Sequence, residues 1–272
     1  MRRAAIFGLA VLLATAAGWA QQTGPMQAPL NPPVIKRIPL FPKLPPPPMS
    51  PDQIIQHFIA HETEYRAAYQ TYGFRQTIRV EELGADGNPT GNFQVEAEVY
   101  PRPGGKRFDR IVNEGKSSLQ VLSLAPPDLE TIAAIPAFPL AGDAYANYKF
   151  TYRGTDKQGE LMTYVFEVQP KILQPGRFYF SGIVWVDTVD LAIVKSYGRF
   201  LTNGPKPSDA LPFTYSFLDI YRENVAGKYW FPSYVRSEDY DRQGKNELPI
   251  RLIVRSSNFR PGGPMLPPAK PQ

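Results

Sequence analysis

The chain of 272 residues contains no cysteine. That absence excludes a disulfide framework, thiolate metal sites, a cysteine nucleophile and a lipid-modified N-terminal cysteine. Histidine is nearly as scarce, with only His57 and His61, so a Ser–His–Asp triad would have to recruit one of these two. Beyond Ala20 no apolar run approaches the roughly 20 residues that a membrane-spanning helix needs. Runs of Lys or Arg are missing as well. The formal net charge is +5, two of those charges being Arg2 and Arg3, and the rest are interspersed with acids. Nothing here tracks a phosphate backbone, so nucleic acid is not an expected partner.

What is present divides the chain. Arg2 and Arg3 precede an unbroken run of apolar and small residues from Ala4 to Ala17, followed by Gly18, Trp19 and Ala20. This is the pattern of a secretory signal peptide over residues 1–20, cleaved after Ala20; the alternative is an uncleaved anchor, for which the run is short. Residues 21–49 form a proline-dominated arm ending in Pro45, Pro46, Pro47 and Pro48. Proline fixes φ and lacks the amide donor, so the arm is expected to be extended, either a bare linker or a segment that docks an envelope partner. The Pro/Gly-rich tail over 261–272 repeats that composition. One folded domain is left, residues 50–260. Its hydrophobic share, 43% over the chain, suffices to build a core without disulfides.

The domain opens on a helix. Ser50 is placed as N-cap, Pro51 as first helical residue, and Gln53 completes a capping box. Ile54, Ile55, Phe58, Ile59, Tyr65, Ala68, Tyr69 and Tyr72 recur at helical spacing, with Gly73 as the natural stop. The remainder reads as strands. Phe93, Val95, Ala97 and Val99 alternate with polar residues, as do Ala146, Tyr148, Phe150 and Tyr152, then Ile250, Leu252 and Val254. Phe213, Tyr215, Phe217 and Tyr221 share a face. This period of two marks sheets with one polar side. Turn residues at 86–89, 156–159 and 241–244 join neighbours as antiparallel hairpins. A short helix is expected near Asp128–Ala134. Two segments, 178–186 and 229–235, are apolar on both faces, so both of their faces must be covered or line an apolar space.

Several residue groups imitate chemical sites. His57 and His61 are four apart on one helix face, a zinc-compatible spacing, but Phe58 and Ala60 stand where the metalloprotease motifs need Glu. Gly115, Lys116 and Ser117 end like a phosphate-binding loop whose first glycine would fall at Arg110. Asp239, Asp241, Gln243 and Gly244 begin like a calcium loop, but Ile250 replaces the bidentate Glu. Asp187 and Asp190 bracket a turn. No metal, cofactor or catalytic residue is expected.

The run Gly182-Ile183-Val184-Trp185-Val186-Asp187-Thr188-Val189-Asp190-Leu191-Ala192-Ile193-Val194-Lys195 resembles a strand pair of the outer-membrane lipoprotein-sorting (LolA/LolB-like) superfamily. Gly227 to Pro232 and Arg251 to Phe259 are similar to it more weakly. The proline arm and the chain length depart from a plain carrier of that group. The resemblance implies a mainly β (α+β) fold: a curved, incomplete antiparallel β-barrel capped by helices, whose apolar concavity receives lipid or lipoprotein acyl chains. The expected lining is Phe178, Phe180, Val184, Phe213, Tyr215, Phe217, Trp230 and Phe231. The expected role is a periplasmic hydrophobic-ligand carrier, with association to the outer membrane left open. The alternatives are a non-catalytic envelope interaction module and, at low weight, an exported hydrolase whose paired carboxylates only the fold would reveal.

Overall fold

The structure, a computed structural model, describes residues 48–102, 106–133, 135, 138, 140–204, 216–241 and 248–262. The expected signal peptide, the arm up to Pro47, the tail from 263 and the turn residues 242–247 lie outside them.

Helix α1, Pro51–Tyr69, starts as its sequence dictates. The Ser50 hydroxyl accepts from the Gln53 amide while the Gln53 side chain accepts from the Ser50 amide. Its end differs from expectation. The helix stops at Tyr69, and Tyr72 and Gly73 open strand β1, Tyr72–Leu83, opposite Pro261 and Arg260. Pairing with a full strand satisfies these backbone groups better than one more frayed turn. β1 turns through Asp86, whose carboxylate accepts from the Asn88 amide, into β2, Pro89–Arg102, and β3, Lys106–Glu114, follows. After a short helix α2, Pro126–Ala133, and a 3-10 turn, Gly142–Asn147, come β4, Tyr148–Gln158, and β5, Leu161–Pro170. Ala146, read as part of a strand, therefore belongs to the 3-10 turn. Strands β6, Phe178–Asp187, β7, Ile193–Thr202, β8, Leu218–Val225, β9, Tyr229–Asp241, and β10, Leu248–Pro261, complete the fold.

The ten strands of the described residues form one antiparallel sheet in the order β3-β2-β1-β10-β9-β8-β7-β6-β5-β4. β1 and β10, the first and last of these strands in sequence, pair with each other inside the sheet, third and fourth from the β3 edge, and β3 and β4 remain as edges, so the barrel stays open. This is the expected mainly β, incomplete antiparallel architecture with a covering helix. One face turns toward α1. Ile78, Val80, Phe93, Val95, Phe166, Val168, Val184, Ile220, Leu252 and Val254 form a continuous buried cluster there with Ile54, Phe58 and Ile59 of the helix. Phe58 packs its ring on Phe166 at 5.6 Å and on Phe150 at 5.7 Å.

The link from β3 to α2 is strapped down by one carboxylate. Glu82 is buried, and its two oxygens accept the backbone amides of Gln120, Val121 and Leu122 at 2.9, 2.8 and 2.7 Å. Burial alone would raise its pKa, but the three amide donors outweigh it and hold the carboxyl below its ordinary value. A lowered folded-state pKa contributes stability that is fully present above the unfolded value of about 4.3 and is lost as pH falls through the folded value. Glu82→Gln keeps the shape but turns an amide donor toward one of the three N–H groups. It should reduce unfolding free energy by about 1–3 kcal/mol at neutral pH. It should also flatten the loss of stability on acidification below pH 4, as measured by urea titration at several pH values. An unchanged acid limb would show that Glu82 carries none of it.

Candidate functional site: an apolar concavity with an exposed rim

The inner face is more than a core. At the C-terminal end of α1, Tyr69 sits 5.3 Å from Phe231, 5.0 Å from Phe74 and 5.5 Å from Phe138, and Tyr72 packs on Phe231 at 5.0 Å. Phe259 closes this aromatic group against Phe231 at 5.4 Å. Tyr65 meets Tyr229 at 5.7 Å, and burial first, then the charge of Asp190, pushes its hydroxyl up to about 12. Tyr65 therefore stays neutral at any physiological pH.

In the middle of the helix the contact is ionic. Glu62 and Arg222 of β8 are both fully buried. Arg222 Nη2 donates to Glu62 Oε2 at 3.0 Å, Nη1 donates to Oε1 and to the Ile193 carbonyl at 3.3 Å, and the guanidinium lies 4.8 Å from the Phe138 ring centre. The pair fixes the helix at one position on a surface that is otherwise apolar and would tolerate sliding.

At the opposite end the inner surface runs out into solvent. Tyr145, Ile172 and Phe178 are 47%, 72% and 54% exposed. Lys171, beside Ile172, donates its amide to Asn147 O and its ammonium to Ala146 O, which ties the end of β5 to the turn that carries Tyr145, while Phe178 opens β6. Phe178 shares its face of β6 with Phe180, which meets Phe200 edge-on at 5.9 Å. The apolar row of the inner face thus continues from buried Phe180 to exposed Phe178.

The outer face is different. Lys195 lies 4.8 Å from the Trp185 ring and 4.7 Å from Tyr221, and its ammonium faces Asp219 at 3.6 Å. Burial raises the Asp219 pKa, and Lys195 is the largest opposing influence. Trp185 donates to Asp156 at 2.9 Å and Trp230 to Asp190 at 2.9 Å. Toward the β1 side an ionic ladder continues through Arg236, Glu238, Arg251 and Glu81. This is a framework of matched partners, with long basic side chains lying over aromatic rings.

The expected lining residues are distributed over both faces. Phe180 and Val184 are buried in the inner cluster, and Phe178 stands on the rim. Phe231 is buried in the aromatic group beneath the end of α1. Trp230 points away from it, to the β6–β7 turn, and Phe217 stacks on Tyr197 at 5.3 Å on the outer side. Phe213 and Tyr215 lie outside the described residues. Tyr69, Phe259 and the Glu62–Arg222 pair were missed. Arg222 breaks no local pattern, and only its partner 160 positions away reveals its burial.

The sites imitated in sequence resolve into packing. His57 is exposed, while His61 stacks on Tyr65 at 5.3 Å and its Nδ1 lies 3.2 Å from Leu191 O. Asp187 accepts the amides of Val189 and Asp190 as turn chemistry. Asp239 sits within β9 and accepts from the Ser216 hydroxyl at 2.5 Å. Among the described residues, no three His, Asp or Glu side chains are grouped to hold a metal ion, and no helix is long and apolar enough to cross a membrane.

No family model and no curated protein matches the chain. Solved structures do. A LolA superfamily protein from Nitrosomonas europaea shares 12% identity over 78% of this chain and 94% of its own, at a TM-score of 0.32. A DUF1329 family protein from Desulfovibrio piger shares 13% over 75% and 93%, at 0.29. MucB shares 10% over 76% and 92%, at 0.28. The structural matches thus include a member of the superfamily that the segment Gly182–Lys195 resembles.

Proposed function

We propose that this protein is an exported, periplasmic carrier of hydrophobic ligands that takes lipid or lipoprotein acyl chains against the inner face of its sheet, without catalysis or a cofactor. The observation that carries this reading is the continuity from the exposed rim at Tyr145, Ile172 and Phe178 to the inner surface at Phe180 and Phe200. Water-exposed side chains of this size are unfavourable unless something apolar meets them. An open sheet with a covering helix offers that surface an inner face to lead onto.

In this reading residues 1–20 are removed on export, 21–49 form an extended arm that reaches an envelope partner, and 50–260 carry the ligand. The tail over 261–272 plays no part in binding. The test is thermal unfolding of the purified protein with a single-chain phospholipid. At about 100 times the dissociation constant, binding should stabilise the native state by about 2.7 kcal/mol, a clear rise in melting temperature. Phe178→Asp should reduce that rise, since a charge on the rim holds water where hydrocarbon must pass. Phe217→Asp, on the outer face, should leave it intact. Absence of any lipid-dependent shift, or an equal effect of the two variants, would overturn the carrier reading. Sequencing the same protein should show an N-terminus at or near Gln21; one still starting at Met1 would instead support an anchored form.

A further inference from the structure

Apart from Val121, the exposed large apolar side chains of the described residues lie at three places, and their charged neighbours differ. Met162 and Val189 lie side by side, since Thr188 donates its amide to Met162 O. Their surroundings are acidic on balance, with Glu160, Asp187 and Asp190 against Lys157, which stands opposite Met162 across β4 and β5. Phe108, Ile111 and Val112 lie on edge strand β3, where Arg107 pairs with Asp109, Arg110 pairs with Glu98 and the Arg102 guanidinium covers the Phe108 ring at 4.8 Å, so these cations are engaged within the fold. The third group, Tyr145, Ile172 and Phe178, is basic. Lys149, Lys171 and Arg177 are exposed beside it, and Lys171 is fixed at Ala146.

The third group is also carried on projecting chain. Residues 171–177 link β5 to β6 beyond the last paired residues. Gly176 at φ 70° reverses the chain, and an isolated bridge from Pro175 to Asn203 braces the loop. Asn203 further donates its side-chain amide to Leu173 O at 3.0 Å. Ile172 and Phe178 therefore stand at the two shoulders of a braced loop, each next to a cation.

We propose that this rim docks on the surface of an anionic lipid bilayer. An aliphatic side chain, an aromatic one and a tyrosine enter the headgroup region while Lys149, Lys171 and Arg177 engage the anionic headgroups. Apolar tips flanked by basic residues are what an interfacial membrane contact requires: the hydrocarbon is buried shallowly, and each cation near the surface adds attraction that decays within a Debye length. The acidic surroundings of Met162 and Val189 make that tip repel the same surface. The proposal goes beyond the carrier reading and stands independently of it, because surface docking needs no internal ligand.

Flotation of the purified protein with phosphatidylglycerol vesicles and with phosphatidylcholine vesicles tests it. Binding should be strong to the first and weak to the second, and should fall as salt rises from 0.05 to about 0.5 M. Each basic side chain contributes roughly fivefold to the partition coefficient. Lys171→Glu with Arg177→Glu removes two cations and adds two anions, so it should lower binding by well over tenfold. Ile172→Asp should lower it too, and both variants should keep the melting temperature, being exposed. Met162→Asp, at the opposite end, should bind like the unaltered protein. Equal binding to both vesicle types, or equal loss from Met162→Asp and the double charge reversal, would overturn the assignment. The carrier reading is scored separately, because the double charge reversal should leave the shift caused by a dissolved single-chain lipid unchanged.

Discussion

Glu62→Ala should lower the unfolding free energy by about 3–5 kcal/mol, the range for breaking a buried ion pair from one side. The loss does not measure the pair's attraction. It comes mainly from the guanidinium left behind, which is fully buried on β8 beneath α1. Among its neighbours that remain are the Ile193 carbonyl and the Phe138 ring, and these two do not neutralise a full charge. Arg222→Leu should also be destabilising, because it strands the Glu62 carboxylate in the same buried position. Glu62→Leu combined with Arg222→Leu should recover most of the loss, since an apolar pair of similar volume needs no compensation. Glu62→Leu, Arg222→Leu and the double variant form a double-mutant cycle whose coupling should be strongly non-additive. Urea unfolding measures all of them. Additive losses, or a single-variant loss under 1 kcal/mol, would mean that water reaches the pair.

Gly182→Ala should be about as damaging, for a purely steric reason. Gly182 of β6 lies directly opposite Gly198 of β7. A Cβ at Gly182 would fall on the Tyr197 carbonyl oxygen and within 2.5 Å of Gly198 Cα, and 2.9 Å from the Phe180 ring. At Gly198 it would fall 2.5 Å from the Ser181 carbonyl oxygen and 2.6 Å from that ring. The ring of Phe180 lies across both glycines. Overpacking typically costs about 1–3 kcal/mol. Here part of the obstruction is main chain, which a rotamer change cannot relieve, so about 3 kcal/mol or more is expected for Gly182→Ala and for Gly198→Ala. Thermal unfolding distinguishes the outcomes: a shift within about 0.5 kcal/mol would show that these strands do not approach so closely. The same pair ties stability to the site, because it lets Phe180 lie flat behind the rim rather than stand up from the inner face.

Local features were legible because local physics decides them. The Ser50–Gln53 box, Pro51 at the first helical turn and the alternation Phe93, Val95, Ala97, Val99 each involve groups a few residues apart, and each reappears in place. The two-sided apolar segments were legible for the same reason: 178–186 and 229–235 have no polar face to offer water, so layers on both sides follow. Tyr72 shows where this reasoning stops. Its spacing fits the helix, yet a strand 189 positions later claims it, opposite Pro261.

The sequence by itself determined the class of the fold: a capped leading helix, then strands of period two joined by tight turns, held together without disulfides. It also singled out the strands that needed cover on both sides. Tertiary structure alone decided which residues face the same space. Phe180 and Phe217 both read as lining, but β7 separates β6 from β8, and strand register puts Phe217 on the outer face with Tyr197. The Glu62–Arg222 pair, the Gly182–Gly198 contact and the basic apolar rim depend equally on which strands become neighbours. That choice is made by burial summed over the entire sheet, a quantity that no window of sequence contains.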